Sequence, residues 1–300
     1  KNSSAFQAPS SRFQETWNME PGTWNCMEGN MPPVILRVKE APTGVPLEAE
    51  SISPDLFADR SREEIEALPV AFGNESRRLG DFFQVEGERS DQIEVDGSIP
   101  RVKWVGSGMT RGRVVIRGDV GMHVGSYMRG GEILVEGNAA DFLGVEMEAG
   151  LIRVRGNAGH RAGAAYRGSK FGMRGGIILI EGDVGHEVGA YMRRGLVVIK
   201  GNAEDFLGAR MAAGTICLFG QAGLRTGGGM QKGMIVCMHP VELLPTFAYD
   251  CIYAPVFLRI LFKGLKRLGV QPTPQQANGL YRRYHGDLAE IGKGEILIPA

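Results

Sequence analysis

The sequence predicts an all-β fold, a right-handed parallel β-helix built as a solenoid of about 19-residue glycine-rich coils, with a small α-helical extension near its C-terminal end. Three observations carry this. Glycine makes up 44 of 300 residues, about twice the usual share of about 7%. Glycines recur at 118, 137, 156, 182, 201 and 220, with spacings of 19, 19, 26, 19 and 19 residues. Inside each repeat, two positions fifteen and seventeen residues beyond the leading glycine are always apolar or Cys. That alternation is the signature of a strand with one face turned inward. Glycines seven and thirteen residues on supply the corners that only a residue without Cβ turns cheaply. A helical repeat is excluded, because three glycines per 19 residues would weaken it by about 1 kcal/mol each. Propeller blades need about 40 residues and leucine-rich repeats a leucine consensus, and neither is present.

Taken in order, residues 1–30 form a polar N-terminal extension without periodicity. Residues 31–105 read as an N-terminal capping region of short strands and one helix. PPVILRVKE is its first strand, and Ser61 followed by Glu64 marks a helix start near Ser61–Leu68. Phe82–Val85, Ile93–Val95 and Arg101–Val105 are further short strands. The repeat domain spans 106–238, beginning with half a repeat at Gly106–Arg117 and carrying a seven-residue insertion near Tyr166 to Gly172. Its two larger halves, Gly118–Gly163 and Gly182–Gly227, are identical at about 26 of 46 positions, a duplication within a duplicated array. Residues 239–300 hold a helix within Pro255–Val270, whose Phe257, Leu261, Leu265 and Leu268 fall at helical spacing, and a closing strand in GKGEILIP.

Composition excludes several function classes. Hydrophobic residues are 43% and charged residues 23%, which is ordinary for a folded chain rather than a disordered one. Lys plus Arg and Asp plus Glu are 34 each, so no net charge draws the chain to nucleic acid or an anionic membrane. No apolar run approaches the roughly 20 residues of a membrane span, and the start lacks a signal-peptide core; the expectation is a cytoplasmic protein. The four cysteines, Cys26, Cys217, Cys237 and Cys251, have no paired spacing for zinc or a disulfide framework. There is no phosphate loop, no dinucleotide fingerprint, no G-x-S-x-G elbow and no H-E-x-x-H. No residue is therefore assigned a catalytic, cofactor-binding or metal role.

Two columns of the repeat invite a chemical reading. The fourth position places Asp141, His160, His186 and Asp205 in succession, about 4.8 Å apart if stacked. That ladder has metal-ligand residue types, but a hydrated column of turn residues is the reading taken, and no bound metal is expected. The outward positions fourteen and sixteen should be polar on an isolated solenoid, yet they hold Leu134, Leu151, Ile177, Leu179, Leu196, Val198 and Val236. So large an apolar face must be covered, and these seven residues are the candidate interface with a partner subunit, the C-terminal helix being the other candidate cover.

The coils GNAADFLGVEMEAGLIRVRGNAG and GDVGHEVGAYMRRGLVVIKGNAEDFLG resemble the repeat domain shared by the C subunit of formylmethanofuran dehydrogenase and the C-terminal domain of the glutamate synthase large subunit. The flanking MPPVILRVKE, HPVELLPTFAYDCIYAPVFLRILFKGLKRLGV and the closing Tyr281–Pro299 segment are similar to the C subunit of the bacterial formyltransferase/hydrolase complex. The resemblance implies a non-catalytic scaffold subunit. In such a complex a formyl group passes from formyl-tetrahydromethanopterin to a methanofuran-type carrier and leaves as formate. It also implies that the metal and the chemistry sit in sister formyltransferase and amidohydrolase-like subunits. A glutamate-synthase-type domain-coupling module is the alternative that the shared repeat leaves open.

Overall fold

The computed structural model describes residues 32–39 and 42–300; the polar stretch 1–30 lies outside them. The chain is mostly β. Its strands are β1 (Val34–Val38), β2 (Leu47–Glu48), β3 (Pro69–Phe72), β4 (Glu75–Arg78), β5 (Phe83–Glu86), β6 (Gln92–Asp96), β7 (Val102–Lys103), β8 (Arg113–Ile116) and β9 (Arg129–Val135). There follow β10 (Ala149–Val154), β11 (Arg174–Ile180), β12 (Arg194–Ile199), β13 (Thr215–Leu218), β14 (Lys232–Cys237), β15 (Ala248–Tyr253), β16 (Tyr281–Gly286) and β17 (Lys293–Pro299). Contacts separate two compact units, one of Met31–Tyr253 with Leu280–Ala300, the other including Ala254–Gly279.

In the larger unit, thirteen strands form one sheet in the order β15-β16-β17-β14-β13-β12-β11-β10-β9-β8-β6-β1-β5. From β1 through β6 and β8 to β14 and β17 every neighbouring pair is parallel. The register follows the repeat. Ile133 stands opposite Ile152, Ile152 opposite Ile178, then Val197, Ile216, Ile235 and finally Ile296. A second parallel ladder runs through single bridges two residues after each leading glycine, from Ile99 and Val120 through Ala139, Ala158, Val184 and Ala203 to Ala222. Each repeat therefore pairs with the same two neighbours at two separate places, so nearest-neighbour contacts hold the array together.

The inward positions are as the alternation predicts. Ile133, Ile152, Ile178, Val197, Ile216 and Ile235, and two residues on Val135, Val154, Ile180, Ile199, Leu218 and Cys237, are all fully buried. Met109, Met128, Met147, Met173, Met192, Met211 and Met230 are also fully buried. Their flexible thioethers fill the space that the glycines leave. At Gly150, with φ +99°, an added Cβ would sit 2.7 Å from the Met128 Cε and 2.8 Å from the Gly131 carbonyl oxygen. The methionine of one repeat thus occupies the place where the next repeat lacks a side chain.

The flanks carry more structure than the alternation reveals. Arg62–Glu66 is a helix closed by the expected capping box, with Ser61 Oγ accepting from the Glu64 N–H and the Glu64 carboxylate accepting from the Ser61 N–H at 2.8 Å. Short helices at Pro54–Phe57 and Leu79–Phe82 and the small sheet β4-β3-β2-β7 complete that region. In the smaller unit the helix is Val256–Arg267, and Thr273 caps a second, short helix, Pro274–Asn278. Leu258, Phe262 and Leu265 are buried residues of the longer helix, while Phe257 is exposed and Leu261 half-buried. The stripe expected through Phe257 and Leu261 is displaced by one residue, because this sequence offers two apolar rows at helical spacing. Among the described residues no helix is long and apolar enough to cross a membrane.

Candidate functional site

The turns between strands are built from side chains that accept the backbone N–H of the next repeat. One residue after each leading glycine, Asp119 Oδ1 accepts from Asn138, Asn138 Oδ1 from Asn157, Asn157 Oδ1 from Asp183, Asp183 Oδ1 from Asn202 and Asn202 Oδ1 from Gln221, at 2.6–2.8 Å. This satisfies amide groups that would otherwise be unpaired at every turn. The strand and glycine periodicities do not disclose it, although a short Asn, Asp or Gln follows every leading glycine.

The fourth-position column does the same work. Asp141 Oδ1 accepts from the His160 N–H at 2.8 Å, His160 Nδ1 from the His186 N–H at 2.9 Å, and Asp205 Oδ1 from the Leu224 N–H at 2.8 Å. The two imidazoles stack with centroids 5.0 Å apart and planes 11° from parallel. The carboxylate beside them is Glu204, 3.1 Å from His186 Nε2, rather than Asp141 or Asp205. One ligand atom each from His160, His186 and Glu204 lie within 4.8 Å of one another, and all three residues are exposed. The geometry suits a ladder better than a cation. An imidazole lone pair lies in its ring plane, so two stacked parallel rings aim their lone pairs side by side, and a tetrahedral ion needs them to converge. His160 Nδ1 is moreover already an acceptor.

The fifth position, which no motif or consensus singles out, is the most ordered column. Trp104, His123, Phe142, Arg161, Glu187, Phe206 and Arg225 all have φ between 58° and 67°. A side chain held there is strained by about 1 kcal/mol or more, and the column offsets this by stacking. Trp104 lies on His123 at 4.3 Å and 9°, and His123 on Phe142 at 4.9 Å and 13°. The Arg161 guanidinium lies 5.9 Å from the Phe142 ring and pairs with Glu187; Arg225 lies 5.1 Å from Phe206. Tyr166, from the insertion, reaches back to this stack. Its hydroxyl is 2.8 Å from His123 Nδ1 and 3.0 Å from Ser126 Oγ. Burial, helped by Lys103, pushes the His123 pKa down to about 4, and burial pushes Tyr166 up to about 12. A neutral His123 and a protonated phenol therefore share this hydrogen bond throughout the ordinary pH range. Ser126 is fully buried and His123 and Tyr166 are half-buried, so the trio anchors the insertion to the stack.

Two of the cysteines are equally inert. Cys217 and Cys237 are fully buried, and burial raises both thiols, Cys237 to about 12. A thiol held so far from ionising is no nucleophile at neutral pH.

The seven apolar outward residues lie on neighbouring strands β9 to β14 as the repeat requires. Leu134, Ile177, Leu179, Leu196, Val198 and Val236 are buried, and Leu151 is half-buried. Outward positions in the later repeats are thus enclosed by the chain itself. Within the larger unit one cover is visible: the buried Tyr281 on β16 places its hydroxyl 3.7 Å from Met238 Sδ.

Comparison with known proteins gives this arrangement a context. No family profile matches the chain. The C subunit of tungsten-containing formylmethanofuran dehydrogenase 2 from Methanothermobacter wolfeii is 44% identical over 99 residues, 31% of this chain and 36% of that protein. The chain thus matches about a third of the length of that relative. The C subunit of tungsten-containing formylmethanofuran dehydrogenase 2 from Methanococcus maripaludis is 45% identical over 267 residues, 88% of this chain and 95% of that protein. A chain in the X-ray crystal structure of the formyltransferase/hydrolase complex (FhcABCD) from Methylorubrum extorquens with methylofuran superposes with a TM-score of 0.83 and 34% identity. That match covers 89% of this chain and 99% of the other.

Proposed function

The chain belongs to the family of formylmethanofuran dehydrogenase C subunits, and from that premise we propose that it is a non-catalytic scaffold subunit of a multisubunit formyltransferase/hydrolase complex. The observation that carries the reading is the match along nearly the full length of a chain from such a complex. In this reading each 19-residue repeat is one turn of a right-handed parallel β-helix, supported by the two parallel ladders that join the same neighbours. Its partners are a formyltransferase and an amidohydrolase-like subunit. The complex moves formyl from formyl-tetrahydromethanopterin to a methanofuran-type carrier and releases formate, with the metal held by a sister subunit. The proposal fits the chemistry of this chain's own side chains: the Cys217 and Cys237 thiols are buried with raised pKa values, and Ser126 beside Tyr166 and His123 is fully buried.

Affinity purification of the tagged full-length chain from its host, with mass spectrometry of what co-elutes, tests it. Co-elution of formyltransferase and amidohydrolase-like chains is expected, with formate release by the complex and none by the isolated chain. A chain that elutes alone, or formate release that stays with the isolated chain through further purification, overturns the proposal.

A further inference from the structure

The insertion in the third repeat is the one place where the 19-residue period is broken, so its residues are not needed to continue the stack. They are nevertheless held in place. Tyr166 is anchored through its hydroxyl to His123 and Ser126, and its N–H donates to Glu146 Oε1 at 3.2 Å. Ser169 N–H closes a turn onto the Tyr166 carbonyl, and Gly172 N–H donates to the Tyr191 carbonyl at 3.0 Å. The loop so fixed presents Arg167, Lys170 and a half-exposed aromatic ring, Phe171, to solvent. Arg193 from the next repeat lies over that ring at 4.3 Å and donates to the Lys170 carbonyl, and Arg194 adjoins it.

Charge marks this surface. Along β8 to β12 neighbouring cations are neutralised: Arg113 meets Glu132, Arg117 meets Glu94 and Glu136, Arg153 meets Glu181, and Lys200 meets Glu181. Arg174, opposite Arg194 in the strand register, is met by Glu148 at 2.8 Å. Among the described residues no carboxylate pairs with Arg167, Lys170, Arg193 or Arg194. We propose that the 166–172 loop, with Arg193 and Arg194, is the docking surface for an acidic segment of a partner subunit. The proposal rests on membership of a complex and adds where one contact falls. The loop backbone is fixed by hydrogen bonds, and Arg193 by the Phe171 ring and the Lys170 carbonyl, so less ordering opposes binding. Opposite charge fixes orientation and speeds encounter.

The test is assembly of the full-length chain carrying Arg167→Glu and Lys170→Glu with its sister subunits, across a salt series. Both residues are exposed, so the variant should melt with the wild-type chain. Association at low salt should weaken about tenfold or more, and the salt dependence should flatten. A carbodiimide cross-link, which joins an amine to a carboxylate, should connect Lys170 of the wild-type chain to Asp or Glu of one sister subunit; this readout does not depend on the variant folding. Reversed charges without effect on assembly, or a wild-type complex without that cross-link, overturn the docking surface alone. Capture of the wild-type chain by phosphatidylserine vesicles, abolished in the variant and with no cross-link in the complex, assigns the loop to a membrane and overturns it too. A wild-type chain that forms no complex overturns the function on which the surface rests.

Discussion

The outward face of the long sheet has two halves that share one backbone and differ in what they show. Over β8 to β10 it is charged and partly open. Arg117, Glu136 and Arg155 stand in one column, with Glu136 2.8 Å from Arg117 and 3.5 Å from Arg155, and Arg113 lies 3.3 Å from Glu132 beside it. The middle outward column runs Val115, Leu134 and Arg153 over β8 to β10, at 9% and 8% exposure for the first two with Arg153 half-buried, and continues over β11 to β14 as Leu179, Val198, Cys217 and Val236, all at 1% exposure or less. The ladder hydrogen bonds and the inward rows are the same in both. The lesson is that the repeat fixes one face of each strand and leaves the other to its surroundings. Cross-strand pairs of opposite sign stabilise an exposed face by about 0.2–1 kcal/mol each, whereas an apolar face is stable only when covered.

The sharpest way to break this comparison is to put a charge on each half. Leu179→Glu with Val198→Glu should leave the isolated chain misfolded or aggregated, because an unpaired buried carboxylate costs several kcal/mol. Circular dichroism and size exclusion would show it. A folded, monodisperse double variant would mean that the apolar half is open in solution and free for a partner. Leu134→Glu is the companion on the charged half. It should lower Tm less than Val198→Glu alone, since Arg153 stands opposite Leu134 in the register while Leu179 and Cys217 flank Val198.

The next experiment asks whether the halves differ only outward. Ile152→Ala and Ile216→Ala remove equivalent, fully buried inward side chains, one from each half. Each should destabilise by about 2–5 kcal/mol, from lost transfer energy and the cavity left behind. Chemical denaturation should place the two midpoints close together. A large gap would show that cover on the outer face also stiffens the inner rows beneath it.

These pairs also mark what the sequence could tell. The period, the glycine corners, the methionine column and the inward strand positions were legible because each is a local rule repeated six times. The outward face was not. Alternation says that Val198 and Arg153 point the same way, but it does not say that Val198 is fully buried and Arg153 only half-buried, which depends on what packs over each. The position-five stack escaped notice for a related reason. Its residues share a left-handed backbone, not a residue type, so Trp104, Phe142, Arg161 and Glu187 show no consensus. The repeat places His160 and His186 in succession, while their carboxylate comes from Glu204 at the third position, a neighbour that only side-chain direction reveals.

A smaller effect should appear when salt is added. In the charged half Arg117 bridges Glu94 at 2.9 Å and Glu136 at 2.8 Å, with side chains a quarter to two-fifths exposed. Pairs this open are worth about 1 kcal/mol at most and are screened. Arg117→Ala should therefore lower Tm by a few degrees or less at low ionic strength, and the difference from wild type should shrink in about 1 M salt. Val236→Ala, in the apolar half, should lose stability that added salt does not restore. Equal salt responses would show that the column is held by packing of the long side chains rather than by charge.

The last comparison separates the halves by pH. The turn column is aromatic early, with Trp104, His123 and Phe142, and bears the Arg161–Glu187 pair later. Burial, with Lys103 adding to it, holds His123 down at about 4 against an ordinary 6.5. The unfolded chain therefore takes up a proton at His123 as pH falls through 6.5, while the folded chain resists until about 4. The stability that His123 contributes is complete above 6.5 and is lost progressively between 6.5 and 4. His123→Phe keeps a ring in the stack and removes the titration. Its Tm should decline less steeply than wild type across that window, and amide exchange at Phe142 and Tyr166 should lose most of its acid sensitivity, with little change at Phe206. An unchanged slope in His123→Phe would place the acid sensitivity of the fold elsewhere and leave the aromatic stack a matter of packing alone.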